Sequence, residues 1–336
     1  MTMTQPPVTE TGSDDARAAT RLAWARTVSS GPVEALHRAS ADAGFRSYWR
    51  GAPDGIVMDS PPGLEDVRPW LAMHAVLEGG GVRVPRILAR DVDAGFLLLE
   101  DLGPSTCLQV ADVDNVDALV DAAIAQLLRL QAIDCPPGCP VYDRTLLMRE
   151  LGLFREWFLQ RHLGVVLDVG EDAALAGIES LLVDAALAQP QVLVHRDFML
   201  RNLMPVADGP AVLDFQDAVR GPIAYDVLSL CRDAFASWPE ARVARWREGY
   251  RTRAAAAGLP VPDAARFERD FDLVGVQRHL KVLGIFARLH HRDGKPRYLA
   301  DAPRFLGYLD AVLPRHPELA PLRKIVDRHV RPAFAG

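Results

Sequence analysis

The stretch that most constrains this chain is residues 192–225, VLVHRDFMLRNLMPVADGPAVLDFQDAVRGPIAY. It sets polar residues on short loops between apolar runs. Val192-Leu193-Val194 reads as a buried strand that delivers His195, Arg196 and Asp197 to its end. Residues 203–206 and 211–213 flank Ala207-Asp208-Gly209, the pattern of a tight hairpin. That hairpin brings Asn202 and Asp214 back to the end where Asp197 lies. Two acids and an amide then sit where strands give way to loops.

Phosphoryl transfer requires such a set. One acid takes the proton of an attacking hydroxyl, and oxygen ligands hold the hard Mg²⁺ ions that accompany a nucleotide triphosphate. Asp197 is the candidate base, and Asn202 and Asp214 are the candidate Mg²⁺ ligands. His195 lies next to a buried strand and reads as a hydrogen-bonded scaffold for the loop. Arg196 and Arg201 either neutralise phosphate charge or face solvent. Asp217 has three open roles: second metal ligand, substrate contact or cap. Asp226, just after Gly221-Pro222 and Tyr225, reads as a helix N-cap and a brace for the loop. A Ser-His-Asp reading fails because no G-x-S-x-G elbow occurs, and no Walker A pattern is present.

With 336 residues, 49% hydrophobic and 24% charged, the chain has material for two modest domains or one large one, of ordinary globular composition. A net charge of −6 without a long basic run argues against nucleic acid or an anionic membrane surface as partner. Residues 1–18 are polar and acidic, which predicts a disordered tail and no signal peptide. No apolar run is long enough to span a membrane. Cys107, Cys135, Cys139 and Cys231 form no disulfide framework, and no second pair follows Cys135 and Cys139 at zinc-site spacing. A reducing cytoplasm is the expected compartment.

Taken in order, residues 21–28 predict a short helix and residues 35–43 a helical or extended entry. Residues 45–50 and 56–58 predict a hairpin around Gly51–Gly55. A helix over residues 65–78 ends at Gly79-Gly80-Gly81, which caps it; the glycines follow a helix, not a strand, so they are no nucleotide fingerprint. A second hairpin joins residues 82–89 to 96–99. From residue 116 apolar residues recur at helical spacing, and helices dominate to the end.

These residues carry a resemblance. His195, Asp197 and Asn202 meet the pattern H-x-D-x-x-x-x-N, and Asp214 the metal-binding Asp, of the aminoglycoside phosphotransferase and choline-kinase-like family, over residues 20–330. The resemblance implies an α+β, protein-kinase-like fold in two lobes. A small β-rich lobe over residues 19–102 would bind nucleotide, and a larger helical lobe over residues 103–336 would carry the catalytic loop and acceptor site. ATP and Mg²⁺ are the implied cofactors. FRSYWR, FLLLEDLG, HRDFMLRNLM and DFQDAVRGPIAYDVLSLCRDAF are more closely similar to the bacterial anomeric sugar kinases of cell-wall recycling, which phosphorylate N-acetylmuramate and N-acetylglucosamine at the 1-hydroxyl. On that resemblance Phe45, Ser47, Arg50 and Met58 belong to strands over the phosphates, and Glu100 and Leu102 to a hinge that binds adenine. Arg201, Gln216, Asp217, Arg232, Gln277 and Lys281 are the residues implied to face the sugar. The implied partner is a small-molecule amino sugar; the oligomeric state stays open, a monomer included.

One departure matters. Folds of this kind carry a Lys on the third strand, and Ile56-Val57-Met58-Asp59 has none. Arg46 or Arg50 substitutes, or metals and backbone suffice; Glu65 would be the usual partner of that Lys. The gap keeps a nucleotide-binding regulator as a rival reading, and an aminoglycoside, choline, homoserine or another sugar remains open as acceptor. Over residues 271–290, Gln277, Lys281, Gly284 and Arg288 form a polar stripe, read either as a solvated side or as a contact for a sugar carboxylate.

Overall fold

The computed structural model describes residues 11–41 and 45–334. Residues 1–10 of the predicted tail, together with 42–44 and 335–336, lie outside that range. Contacts divide the chain into two units, Met1–Ala75 with Val84–Ser105, and Val76–Arg83 with Thr106–Gly336. The division therefore falls at Ser105, where the sequence pattern placed it at residue 102. Residues 76–83 go to the second unit, which no single cut in the sequence could show.

In the first unit, helix α1 (Thr11–Val28) precedes strands β1 (His37–Ala41), β2 (Ser47–Ala52) and β3 (Gly55–Asp59), and helix α2 (Arg68–Gly79), whose residues from Val76 on count with the second unit, comes before β4 (Ile87–Asp91) and β5 (Phe96–Glu100). The strands form one antiparallel sheet in the order β1-β2-β3-β5-β4. Residues 11–18 are helical, which corrects the expectation of a tail ending at residue 18. The anchor is electrostatic. Arg17 and Arg21, one helical turn apart, both donate to the buried carboxylate of Asp59 at 2.7 Å. Arg21 also lies over the Trp49 ring at 3.5 Å and Arg17 over Phe96 at 4.0 Å. Composition sees a polar, acidic leader; it does not see that two arginines meet an acid from a distant strand.

The second unit begins with α3 (Cys107–Val110) and α4 (Val116–Gln131), followed by α5 (Arg144–Leu153), which continues as a π-helical stretch, Phe154–His162. After α6 (Val169–Leu187) come β6 (Gln191–Val194), a 3₁₀ turn Leu200–Asn202, β7 (Leu203–Met204), β8 (Ala211–Val212) and β9 (Val219–Pro222). The β7–β8 hairpin pairs Leu203 with Val212, as the spacing predicted. Helices α7 (Ala224–Cys231), α8 (Glu240–Ala256), α9 (Ala264–His291), α10 (Ala302–Val312) and α11 (Ala320–Ile325) complete it.

The centre of this unit is α9, which packs against α5, α6, α7 and α10. Its apolar residues Leu273, Val276, Leu280, Leu283 and Phe286 are buried, and so are Gln277 and Lys281 from the polar stripe. The expectation of a solvated side is therefore wrong at these positions. The reason is close approach: a Cβ on Gly284 would lie 2.4 Å from the carbonyl carbon of Leu153 and 2.5 Å from its oxygen. Only glycine lets α9 come that near the end of α5, and the approach carries Gln277 and Lys281 inward. Gly284→Ala is accordingly expected to lower stability by about 1–3 kcal/mol, measured as a fall in thermal midpoint. An unchanged midpoint would show that the helices can separate without loss.

Candidate active site

The site is built around the loop that follows β6. Strand β6 pairs with β9, Val194 opposite Val219, so the loop leaves from a buried ladder. Every residue of α7 is buried, and this helix braces the loop from behind. Asp226 lies in its first turn; the N-cap position is Ile223, so the capping role expected for Asp226 is not what it does. Its carboxylate reaches back instead. Oδ2 accepts the His195 N–H at 2.7 Å and Oδ1 accepts the Arg196 N–H at 3.0 Å. Just past α7, buried Asp233 accepts the Leu200 N–H at 3.3 Å and the Phe235 N–H at 2.7 Å. Two buried carboxylates thus hold the loop ahead of Asp197 and behind it.

His195 joins this loop to the one that bears Asp214. Its Nε2 donates to the Leu213 carbonyl at 2.8 Å, so a neutral ring presents Nδ1 as an acceptor, and the Asp197 N–H lies 3.3 Å from it. The ring is buried and edge-on to Phe198. Asn202 makes the second link. Its Nδ2 donates to the Asp197 carbonyl at 2.9 Å, and its own carbonyl accepts the Leu213 N–H at 2.9 Å. Leu213 is pinned on both sides, and Asp214 follows it.

Two side-chain-bearing residues take left-handed backbone here, Arg196 (φ 77°) and Asp214 (φ 61°), the only non-glycine cases among the described residues. Asp tolerates that region; Arg does so at a cost of about 1–2 kcal/mol. Both flank the proposed chemistry, where such strain persists only if the surroundings enforce it. The enforcement at Arg196 is visible: Asp226 takes its N–H, and Glu150 on α5 takes its Nη2 at 2.7 Å.

The carboxylates differ in environment. Asp197 and Asp217 are exposed, and Asp214 is half-buried. Gln216 Nε2 donates to Asp214 Oδ1 at 2.8 Å and approaches Asp217 Oδ2 at 3.4 Å, so Gln216 orients two acids. Burial pushes the Asp226 carboxyl up to about 6 from an ordinary 3.8, with His195 and the two amides pulling against that rise. Burial also pushes Glu150 upward, but Lys281 and Arg196 outweigh it and hold its carboxyl below the usual range.

Several residues expected at the acceptor or nucleotide are occupied elsewhere. Lys281 Nζ lies 2.9 Å from Glu150 and 3.1 Å from the Tyr225 hydroxyl, and Gln277 Nε2 donates to Glu150 at 3.3 Å. Arg232 is buried in a two-bond pair with Glu240 at 2.8 and 2.9 Å. All three are buried and paired with acids from other helices. Met58 is fully buried in the sheet, opposite Tyr48 and Leu97, so it is a core residue and not a surface for ATP. Ser47 accepts from Trp49, Arg50 pairs with Asp101 at 2.8 Å, and Glu100 pairs with Arg86 at 3.2 Å. Phe45 is exposed and Leu102 half-buried. Arg46, buried in the same unit, faces Glu65 at 3.2 Å. Glu150 and Tyr142 carried no signal in the sequence, since both lie far along the chain from the loop they approach.

Buried braces, a linking histidine and three oxygen-bearing side chains on adjoining loops make up the candidate phosphoryl-transfer site. The profile of the Phosphotransferase enzyme family matches residues 35–268, and the chain belongs to that family. Among curated relatives, the N-acetylmuramate/N-acetylglucosamine kinases of Pseudomonas putida and Pseudomonas aeruginosa are 50% and 51% identical to it over 299 residues, 88% of each chain. That of Neisseria meningitidis is 45% identical over 308 residues, 89% of this chain and 92% of its own. Solved structures share the two-lobe α+β fold at low identity. An ADP-bound aminoglycoside phosphotransferase superposes with TM-score 0.59 at 14% identity, covering 86% of this chain and 97% of its own. A choline kinase from Streptococcus pneumoniae gives 0.59 at 12%, covering 88% and 99%.

The shift at Asp226 sets a pH dependence. Its folded value lies above its unfolded one, so the ionised group costs the fold about 3 kcal/mol above pH 6, and the fold gains from this group as pH drops from 6 to 4. Activity runs the other way: a proton on Asp226 sets an O–H against one of the two amides. The phosphoryl-transfer rate is expected to fall through about pH 6 while the protein stays folded. Asp226→Asn is expected to be slow at every pH and to lack that limb; the same limb in an active Asp226→Asn enzyme would assign it to another group.

Proposed function

We propose that this chain is an ATP-dependent kinase that phosphorylates the anomeric 1-hydroxyl of N-acetylmuramate and N-acetylglucosamine. The observation that carries this reading is the identity of 45–51% to three curated kinases of that name over nearly their whole length, joined to the arrangement of Asp197, Asn202 and Asp214. In this reading the exposed Asp197 carboxylate orients the acceptor hydroxyl and takes its proton as the phosphorus–oxygen bond forms. His195 and Asn202 hold the backbone of Asp197 from its amide and carbonyl sides, which fixes the aim of that carboxylate.

The donor set fits a magnesium ion. Asn202 directs its Nδ2 into the loop, which leaves Oδ1 as the oxygen for a hard cation, with an Asp214 carboxylate oxygen as second ligand. Beside them Gln216 Oε1 is buried without a protein partner, a position for a water or other ligand of the site. When bound, Mg²⁺ supplies positive charge to the nucleotide phosphates. Asp217 is assigned to the same cluster as an outer acid, oriented by Gln216.

For the nucleotide, the Arg46–Glu65 pair is the arrangement that takes the place of the missing third-strand Lys, with Arg46 presenting charge to phosphate. Arg50, engaged by Asp101, is set aside for that role. Glu100 and Leu102 offer backbone groups to adenine. At the acceptor end, Arg201 directly precedes Asn202, is exposed, and stacks over Phe235 at 4.4 Å, with Tyr298 edge-on to the same ring. A guanidinium over one aromatic face, with a second ring edge-on to it, suits a sugar ring that carries a carboxylate, as N-acetylmuramate does.

The test is product analysis. With ATP and Mg²⁺ the protein is expected to convert both sugars to their 1-phosphates, with phosphorus–proton coupling to the anomeric position in the NMR spectrum. Arg201→Ala is expected to lose turnover of N-acetylmuramate more than of N-acetylglucosamine. Phosphate at another hydroxyl, or turnover only with choline or an aminoglycoside, would reject the acceptor assignment.

A further inference from the structure

The residue placed directly ahead of Asp197 is held at both ends. Arg196 adopts left-handed backbone at φ 77°, its N–H is taken by Asp226, and its guanidinium is drawn away from the loop to Glu150. Without a second anchor, a strained residue at this position would relax and turn the following carboxylate with it. Nη1 also lies 3.5 Å from the Asp217 carbonyl, so one side chain spans both loops of the site.

Glu150 is built to be that anchor. It is 5% exposed, and its two oxygens receive Arg196 Nη2, Lys281 Nζ, the Tyr142 hydroxyl and Gln277 Nε2. Lys281 donates onward to the Tyr225 hydroxyl, and the Tyr142 and Tyr225 rings meet edge-to-face with centroids 5.3 Å apart. Helices α5, α7 and α9 each contribute, and Tyr142 joins them from the segment hydrogen-bonded to β9. A buried ion cluster of this kind is weak as a device for stability, since apolar residues of equal volume commonly do as well or better. It is strong as a device for geometry, because each donor has one direction in which it is satisfied.

We propose that Glu150 is a positioning residue for phosphoryl transfer: through Arg196 it locks the strained backbone that aims Asp197, with Lys281, Tyr142 and Gln277 holding Glu150 in turn. The proposal rests on Asp197 as the group that meets the acceptor hydroxyl. Neither Glu150 nor Arg196 need touch nucleotide or sugar. Their loss then falls on kcat and leaves KM unmoved, which a purely structural role would not produce.

Arg196→Gly is the decisive variant. Glycine takes φ 77° without strain but leaves it just as freely, and Glu150 keeps its other three donors, so the protein is expected to fold while the backbone ahead of Asp197 is no longer locked. Its kcat is expected to drop about 10²-fold, with KM for ATP and for sugar within about threefold of wild type. Glu150→Gln, which keeps the volume and removes the charge, is expected to lose kcat similarly. The double variant is expected to be no slower than the slower single one, because both remove one tether. Wild-type kcat in folded Arg196→Gly would overturn the proposal, and so would losses that multiply in the double variant. Should the wild-type enzyme fail to turn over either sugar, the functional reading fails instead, and the two failures are told apart.

Discussion

The site depends on one buried carboxylate receiving two consecutive backbone amides. Asp226 is fully buried, and its oxygens are met by the N–H groups of His195 and Arg196. Burying an anion is costly, as the rise of its carboxyl to about 6 records. Two amides directed at it offset part of that cost and in exchange are fixed in space. Everything that follows in the chain inherits the fixed point. His195 passes it to Leu213, Asn202 passes it back to Asp197, and Asp233 secures the far end at Leu200. Removing this carboxylate would therefore loosen both loops at once.

The same logic explains why polar groups lie so deep in the helical unit. Glu150, Gln277, Lys281, Arg232 and Asp233 are all nearly inaccessible to solvent. Glu150, Gln277 and Lys281 are matched across helices α5 and α9, which the close approach allowed by Gly284 brings within reach, Arg232 is matched by Glu240 on α8, and Asp233 takes two backbone amides. A core made only of leucine and phenylalanine would pack as tightly but would accept many rotations of one helix on another. Directional pairs accept few. The functional loop is thereby set by the packing of the body beneath it.

What the sequence showed of this follows from how local each feature is. The placement of Asp197, Asn202 and Asp214 on adjoining loops was legible because they fall in one run, between short strands and a hairpin whose turn is written in Ala207-Asp208-Gly209. The first-unit hairpins and the long helices were legible from period alone. Three things were not. Residues 11–18 read as a tail because an arginine pair bound to Asp59 has no local signature. Gln277 and Lys281 read as a solvated stripe or a sugar contact because their partner, Glu150, lies far away on α5. Arg196 read as a generic cation, since no pattern of side chains betrays a positive φ. In each case the deciding contact joins residues that the chain brings together only when folded.

In the proposed reaction Asp197 takes the proton from the acceptor while the rest of the site holds it in aim. Asp197→Asn tests this directly, because it keeps shape and removes the base. Turnover measured under saturating ATP, Mg²⁺ and sugar is expected to fall by about 10²–10⁴-fold, with the dissociation constant for ATP nearly unchanged. Turnover within tenfold of wild type, in a preparation free of wild-type enzyme, would contradict the account.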